Sequence, residues 1–417
     1  MQQSVSKDRF IPLRKTELIS ACLEHGNFPE PEKLKFSSLC KLIMSTVHFD
    51  YHQQLEILKD AYAPFNPNAD TLTVSTFTAE ELKQHQSTFA QTFASILNAA
   101  NFEKVTEQDL AEALQEESLF KVRLAVEFED FEEVVFYRRG EYERKERVST
   151  FWGLKKQTLS FTNYDKVTVY IKFKDADYFT AQKRSTEHFE PGSTIIKLFQ
   201  NVPKADLEML FPNSEVRMRT LDKAIIGGSA VIGATVMLVT KLGASLLLLT
   251  GLLAYWIGLS DKEVTIGTQE LVALGAGAGV LGGFIFKEWS KFKNRKLKFM
   301  KALADNLYFK NLDNNAGVFH RLVDAAEEEE CKEAILAYYI LLMNQGSLSK
   351  ADVDAKVEEW FAKYFHFEID FEIDDALDKL LRFEIVTVET KSAVDYYTAV
   401  SLDQAKTNLD KKWDALF

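Results

Sequence analysis

The chain has 417 residues, with 50 Lys and Arg against 62 Asp and Glu, a formal net charge of −12. That length has room for two or three domains, and the acidic balance argues against general nucleic-acid binding, which needs an excess of cations. Three cysteines, Cys22, Cys40 and Cys331, are odd in number and scattered, which fits free thiols rather than a disulfide framework or a cysteine-rich metal site.

The N-terminus, MQQSVSKDRFIPLRKTEL, lacks the apolar stretch of a secretory signal and is too short for an organelle transit peptide. Residues 10–115 read as mostly helical. Leu39, Leu42, Ile43, Val47, Tyr51, Leu55 and Leu58 recur at helical spacing. PFNPNAD (Pro64–Asp70) is a turn, because two prolines with Asn and Asp cannot continue a helix. Thr78 and Glu81 stand in capping-box spacing at the head of a second run, and Thr106 with Asp109 repeat the signal more weakly.

Residues 118–200 change character. In KVTVYIKFK, Val167, Val169, Ile171 and Phe173 point one way, and Thr168, Tyr170 and Lys172 the other. STIIKLFQ (Ser193–Gln200) reads as a further strand. The expectation is a small antiparallel sheet with one face covered. The run from Arg138 to Arg147 mixes both signs of charge and reads as a solvated face.

Three apolar stretches follow: Ala224–Thr240, Leu242–Leu259 and Leu271–Phe286. A membrane helix needs roughly 17–25 apolar residues, and these are near the minimum. Both flanks are basic: Arg217, Arg219 and Lys223 before the block, and Lys287, Lys291, Lys293, Arg295, Lys296, Lys298 and Lys301 after it. Basic flanks stay cytoplasmic, so an even number of crossings is expected. The spans are then about 242–259 and 271–286, with 224–240 interfacial or re-entrant. The basic cluster suits anionic lipid headgroups. Gly275, Gly279 and Gly283 form a tandem GxxxG face, a spacing that lets two membrane helices pack closely.

The remainder is helical, then α+β. Ala316–Asn344 reads as one long helix or two, and Ser349 with Asp352 cap the next. A short helix from Asp374 to Arg382, a hairpin turning at Lys391–Ala393 and a last helix complete the order of elements of a winged helix. Where a DNA-binding winged helix keeps its recognition residues, this chain carries Asp374, Asp375 and Asp378, which phosphates would repel.

Few residues suggest chemistry. His48 and His52 sit i,i+4 in HFDYH, but Phe49 occupies the place of the glutamate in the zinc-protease motif, so a plain helix surface is favoured. His320, Asp324, Glu327, Glu328 and Cys331 share one broad helix face. His320, Asp324 and Glu328 are the candidate metal ligands among them. The bland alternative, a polar face with Glu328–Lys332 pairing, carries more weight.

NVPKADLEMLFP (Asn201–Pro212), the Gly-rich block and NLYFKNLDNNAGVFHRLVDAAEEEECKEAILAYY (Asn306–Tyr339), with FIPLRK near the start, resemble the transmembrane protein 143-like family. That resemblance implies membrane attachment in a family with bacterial, plant and animal members. It implies no catalytic residues, because the family's biochemical function is not established.

The expected architecture is α+β with a helical transmembrane hairpin. It comprises a mostly helical N-terminal region (1–117), a small β-rich domain (118–220), a membrane domain (221–290) and a basic stalk leading to a helical, winged-helix-like C-terminal domain (291–417). The expected role is a non-enzymatic scaffold or interaction protein at the cytoplasmic face of a bacterial inner membrane. Its partners would be the lipid bilayer, anionic headgroups and an unidentified protein, with a homo-oligomer as one arrangement. Neither nucleic acid nor a cofactor is called for. Two alternatives are a metal-dependent enzyme using the His320–Cys331 face and a component of an oligomeric transporter or channel. The second is weakened because the spans hold no ionisable residue except Lys241 at a boundary.

Overall fold

The computed structural model describes residues 9–69, 76–115, 123–150, 155–187, 189–213, 215–217, 250–251, 253–259, 267–344 and 346–415. Contacts divide the chain into two compact units. One comprises Met1–Gln115, Phe128–Leu207 and Lys310–Phe417, and the other Glu116–Glu127 with Glu208–Phe309.

The first unit opens with α1 (Lys15–His25), α2 (Glu30–Tyr62) and α3 (Ala79–Ala99). Thr78 starts α3: its hydroxyl accepts the Glu81 N–H at 3.3 Å, and the Glu81 carboxylate accepts the Thr78 N–H at 2.7 Å. Two otherwise orphaned donors are thereby satisfied, a cap of about 1 kcal/mol. On α2, Leu39, Ile43, Val47, Tyr51, Leu55 and Leu58 are buried along one stripe. The short strand β1 (Glu103–Lys104) and α4 (Glu107–Gln115) follow. Strand β2 (Arg123–Ala125) belongs to the second unit.

Strands β3 (Phe131–Thr150) and β4 (Lys155–Phe173) form a long antiparallel ladder. Helix α5 (Ala176–Gln182) and strand β5 (Thr194–Pro203) come next. The sheet runs β1–β3–β4–β5–β7, with the edge strand β7 (Asn311–Asn314) contributed from much later in the chain. The expected single covered face is corrected. Val167, Val169, Ile171 and Phe173 are buried on one side of β4, and Thr168 and Tyr170 are buried on the other. Phe173 packs against Phe131 and Phe189 at ring separations of 5.5 and 4.1 Å. Tyr170 packs against Phe89 of α3 at 5.9 Å. Helices therefore cover the side that alternation alone had marked as solvent-facing. Arg139, in the run read as solvated, is only 6% exposed.

After β6 (Glu215–Arg217) and α6 (Thr268–Lys310), both of the second unit apart from the last residue, comes α7 (Ala316–Asn344). It is one unbroken helix, and every residue from Glu329 to Leu341 is buried. A helix buried on all sides is a core element rather than a surface one. It packs against α1, α2, α3, β5 and β7, and against the later elements β10 (Val394–Ala399), α8 (Lys350–Phe365) and α9 (Ile373–Arg382). Aromatic packing joins it to α2 and α3: Phe319 lies 5.1 Å from Tyr62 and 5.9 Å from Phe89. Burying such rings contributes roughly 1.5–3 kcal/mol each.

Strand β8 (Leu348–Ser349) leads into α8, where Ser349 and Asp352 form a reciprocal cap. Strands β9 (Val386–Lys391) and β10 make a hairpin, and the small sheet runs β8–β10–β9. Ser392 and Ala393 turn the hairpin at φ of 51° and 63°, both left-handed, as a two-residue hairpin turn requires. Helix α10 (Leu402–Asp414) ends the described chain.

In the second unit, β2 pairs antiparallel with β6, and the Asn213 amide donates to the Glu127 carbonyl at 2.9 Å. The α+β class with a small antiparallel sheet stands. The transmembrane hairpin does not: among the described residues no helix is long and apolar enough to cross a membrane. The expected span Leu271–Phe286 is part of α6, a 43-residue helix that continues straight into the basic run. The apolar portion measures roughly 24 Å at 1.5 Å per residue, short of a hydrocarbon core of about 30 Å. Five of its residues are glycine and three alanine, so its hydropathy is diluted. Ala224–Thr240 and most of Leu242–Leu259 lie outside the described residues. The multi-pass topology, the inner-membrane location and the bilayer partner were inferred from those spans, and the headgroup partner from the basic run beside them; without a crossing helix among the described residues none of them is supported.

Candidate functional site

The residues proposed as metal ligands are not brought together. His320 and Asp324 are exposed on α7. Glu327 is held by the Lys15 ammonium at 3.0 Å and faces His48 Nδ1 at 2.7 Å. Burial would raise its carboxyl, but those two hydrogen bonds and the charges behind them leave it below the ordinary value. Glu328 accepts the Lys15 backbone N–H at 2.9 Å. Cys331 is fully buried, and burial pushes its thiol up to about 12. Among the described residues no group of three His, Cys, Asp or Glu is placed to hold a metal ion. The metal-dependent enzyme is corrected accordingly: the face is already committed to α1 and α2. His52 stands exposed, one turn beyond His48.

Further along α7 the charges go inside. Lys332 is 1% exposed and donates to Glu329 and to the Ile11 carbonyl, both at 2.6 Å. Glu329 in turn accepts the Ile11 N–H at 3.0 Å. Glu333 receives the Asn101 amide at 3.3 Å, and burial, with Glu329 adding, holds its carboxyl well above the ordinary value. Glu330 pairs with Lys379 of α9.

That last pair forms the floor of a cleft of about 440 Å³ between α2, α7 and α9. Six charged groups line it: Asp50, Glu330, Asp375, Asp378, Lys379 and Arg382. Helix α9 buries Ile373, Ala376, Leu377 and Leu380, which fixes which way its polar residues face. Asp375 and Asp378 are exposed on it, whereas Lys379 is buried beside α7. Arg382 reaches Asp50 at 3.2 Å. Burial pushes Asp50 upward, opposed by Arg382 and Lys379. Asp375 is also raised, by burial and then by its neighbours Asp378 and Asp374. Burial draws Lys379 down to about 7, with Arg382 acting the same way and Asp50 against it.

The sequence pointed to the acidity of α9 but not to this cleft. The signal lay in Lys379, which follows Ala376 by one helical turn and so edges the apolar face. Asp50 and Glu330 gave none, since their partners Arg382 and Lys379 lie on another helix, 332 residues away for Asp50.

The glycine stripe has no described seam. A Cβ placed on Gly275, Gly279 or Gly283 would meet no described atom within 4 Å. In the basic run, Lys287, Lys291, Lys293, Lys298 and Lys301 are exposed, and the Lys293 ammonium sits 4.2 Å over the Trp289 ring. The side chains of Arg295 and Lys296 lie outside the described residues.

Residues 164–317 match the family model described as "Protein of unknown function (DUF3754)". A DUF3754 domain is present, and this replaces the resemblance to the transmembrane protein 143-like family. The matched stretch ends at residue 317, before most of the α7 segment on which that resemblance leaned. No solved structure matches the chain.

Proposed function

We propose that the chain is a binding protein whose α2–α7–α9 cleft recognises a ligand bearing two cationic groups, ammonium or guanidinium. One observation carries this reading. Four carboxylates and two cations line the cleft, and the two cations are already matched, Arg382 to Asp50 and Lys379 to Glu330. Asp375 and Asp378 have no ion-pair partner among the described residues, and their mutual repulsion raises Asp375 beyond what burial does. A cation placed between them removes that repulsion. The role is recognition, without chemistry on the ligand.

A polyamine and a Lys/Arg-rich peptide share this chemistry, and titration of the full chain with spermidine and with such a peptide separates them. Each exposed ion contact contributes up to about 1 kcal/mol, so Asp375→Asn with Asp378→Asn should weaken the true ligand roughly tenfold. Affinity should fade as the pH falls through the carboxylate range, since the ligand favours ionised Asp375. Unchanged affinity in the double variant, or no binding of either probe at millimolar concentration, would reject the reading.

A further inference from the structure

Two lysines are buried among the described residues, and their surroundings differ. Lys332 donates to two oxygens at 2.6 Å and stands 4.7 Å over the Phe10 ring. Lys379 is 7% exposed, with Glu330 beside it as its ion-pair partner. Its Nζ is shut off from water and makes no hydrogen bond among the described residues. An ammonium carries three donors and no acceptor. Burying it with a single counter-charge leaves donors unsatisfied, and that penalises the charged form of the group far more than the neutral amine.

The charges around Lys379 come from three helices. On α9 itself, Asp375 stands four residues before it and Arg382 three after, so both share its side of the helix. Asp378 lines the cleft with them. From α2 come Asp50, which Arg382 reaches at 3.2 Å, and the Tyr51 hydroxyl, which burial pushes up. From α7 come Glu330 and, one turn on, Glu333, whose carboxyl burial holds well above the ordinary value. Helix α8 and strand β9 also pack on α9 but add no residue to the cleft lining. Lys350 of α8 is paired with Asp374, and Glu389 with Lys391 within β9. Burial and then Arg382 draw the Lys379 ammonium down to about 7 against the pull of Asp50, so its proton is exchangeable near neutral pH.

We propose that the acidic cleft takes up its cationic ligand in exchange for the proton of Lys379. This rests on the reading of the cleft as a cation site and adds its regulation by pH. With the proton in place, Lys379 and Glu330 together bring no net charge to the lining. With the proton gone, Glu330 is an unmatched carboxylate on the floor below Asp375 and Asp378, and the lining is one charge more negative. That extra charge attracts the ligand. By reciprocity, a bound cation favours loss of the proton. The proton goes to bulk water, and no bond to the ligand forms or breaks. The cleft is thus a weaker cation site below neutral pH and a stronger one above it.

The test uses the full chain, titrated calorimetrically with spermidine and with a Lys/Arg-rich peptide at pH 6, 7 and 8. Each titration is run in two buffers of different ionisation enthalpy. The wild type should bind severalfold more tightly at pH 8 than at pH 6. Its binding heat at pH 7 should depend on the buffer, the mark of a released proton. Lys379→Arg keeps a cation beside Glu330 that does not titrate. Lys379→Gln with Glu330→Gln removes both charges and strands neither. Both variants should hold the wild-type pH 6 affinity at every pH, with heats that no longer depend on the buffer. A lysine that only supports the fold would leave the pH step in place in both. Wild-type binding without proton release overturns the inference and leaves the cation site standing, and so does a pH step that survives in both variants. If neither probe binds at millimolar concentration, the cation site itself is rejected, and the proton exchange with it.

Discussion

Along α7, the run from Glu329 to Glu333 puts three carboxylates and an ammonium out of water, none more than 6% exposed. Along α6, Leu271, Val272, Ile285 and Phe286 stand between 59% and 70% exposed. Residue type and burial are inverted between the two helices, and the inversion has a physical cause in each. On α7 each charge meets a complement from elsewhere in the chain: the Ile11 backbone, Asn101 and Lys379. Buried charges persist only when paired and hydrogen-bonded. On α6 the apolar run is interleaved with glycine, which supplies no side-chain area to bury. Apolar text is a tendency, and complementary neighbours decide where it ends up.

The sharpest way to break this comparison is to remove one member of the buried pair. Lys332→Met should cost about 3–5 kcal/mol, because Glu329 is left buried without its cation. Adding Glu329→Gln should recover at least half of the loss. Urea unfolding of the two variants measures both, and a single-variant loss under about 1 kcal/mol would show that the pair matters little.

Glu333 gives a smaller effect with a definite sign. Its carboxyl is raised well above the ordinary 4.5, so the folded chain holds a proton that the unfolded chain releases. That contribution is whole below about pH 4.5 and is lost as the pH rises toward the folded value. Glu333→Gln keeps the oxygen that accepts from Asn101 and removes the titration. The variant should match the wild type near pH 4 and exceed it in stability at pH 8. Parallel stability profiles at the two pH values would show that Glu333 is not held neutral.

The smallest effect sharpens the α6 side. With open space beside Gly279, Gly279→Ala should gain about 0.5–1 kcal/mol through backbone entropy and helix propensity. A loss, read by thermal unfolding of the full chain, would instead reveal a close-packed seam at the glycine stripe.

Much of the local structure was legible because its causes are local. Thr78 with Glu81 and Ser349 with Asp352 cap their helices three residues apart. The Leu39–Leu58 stripe declares its buried face by period alone. What could not be read was long-range. The seven-residue run EEEECKE looked like a polar surface because the partners that bury it lie outside its window: Asn101 is 232 residues away, the Ile11 carbonyl 321, and Lys379 sits on a later helix. The second face of β4 looked solvated because alternation reports only the chemistry of a strand and not what is laid over it. The expected span Leu271–Phe286 failed for a related reason: a run of suitable residues was taken for a span without the length to be one. The acidic cleft needed Asp50, Glu330 and Asp375 on three helices at once, and no window of sequence contains them.

The buried charges of α7 also set an order of events. Lys332 is satisfied by the carbonyl of residue 11, and Glu330 by the ammonium of residue 379. Until both distant segments arrive, closing the core around α7 strands bare charges, a penalty of several kcal/mol per ion. The helix can form early, but it cannot be sealed early. The first unit should therefore fold slowly and in one late cooperative step, as expected where decisive contacts span most of the chain. During synthesis, that step waits for residue 379 to clear the ribosome.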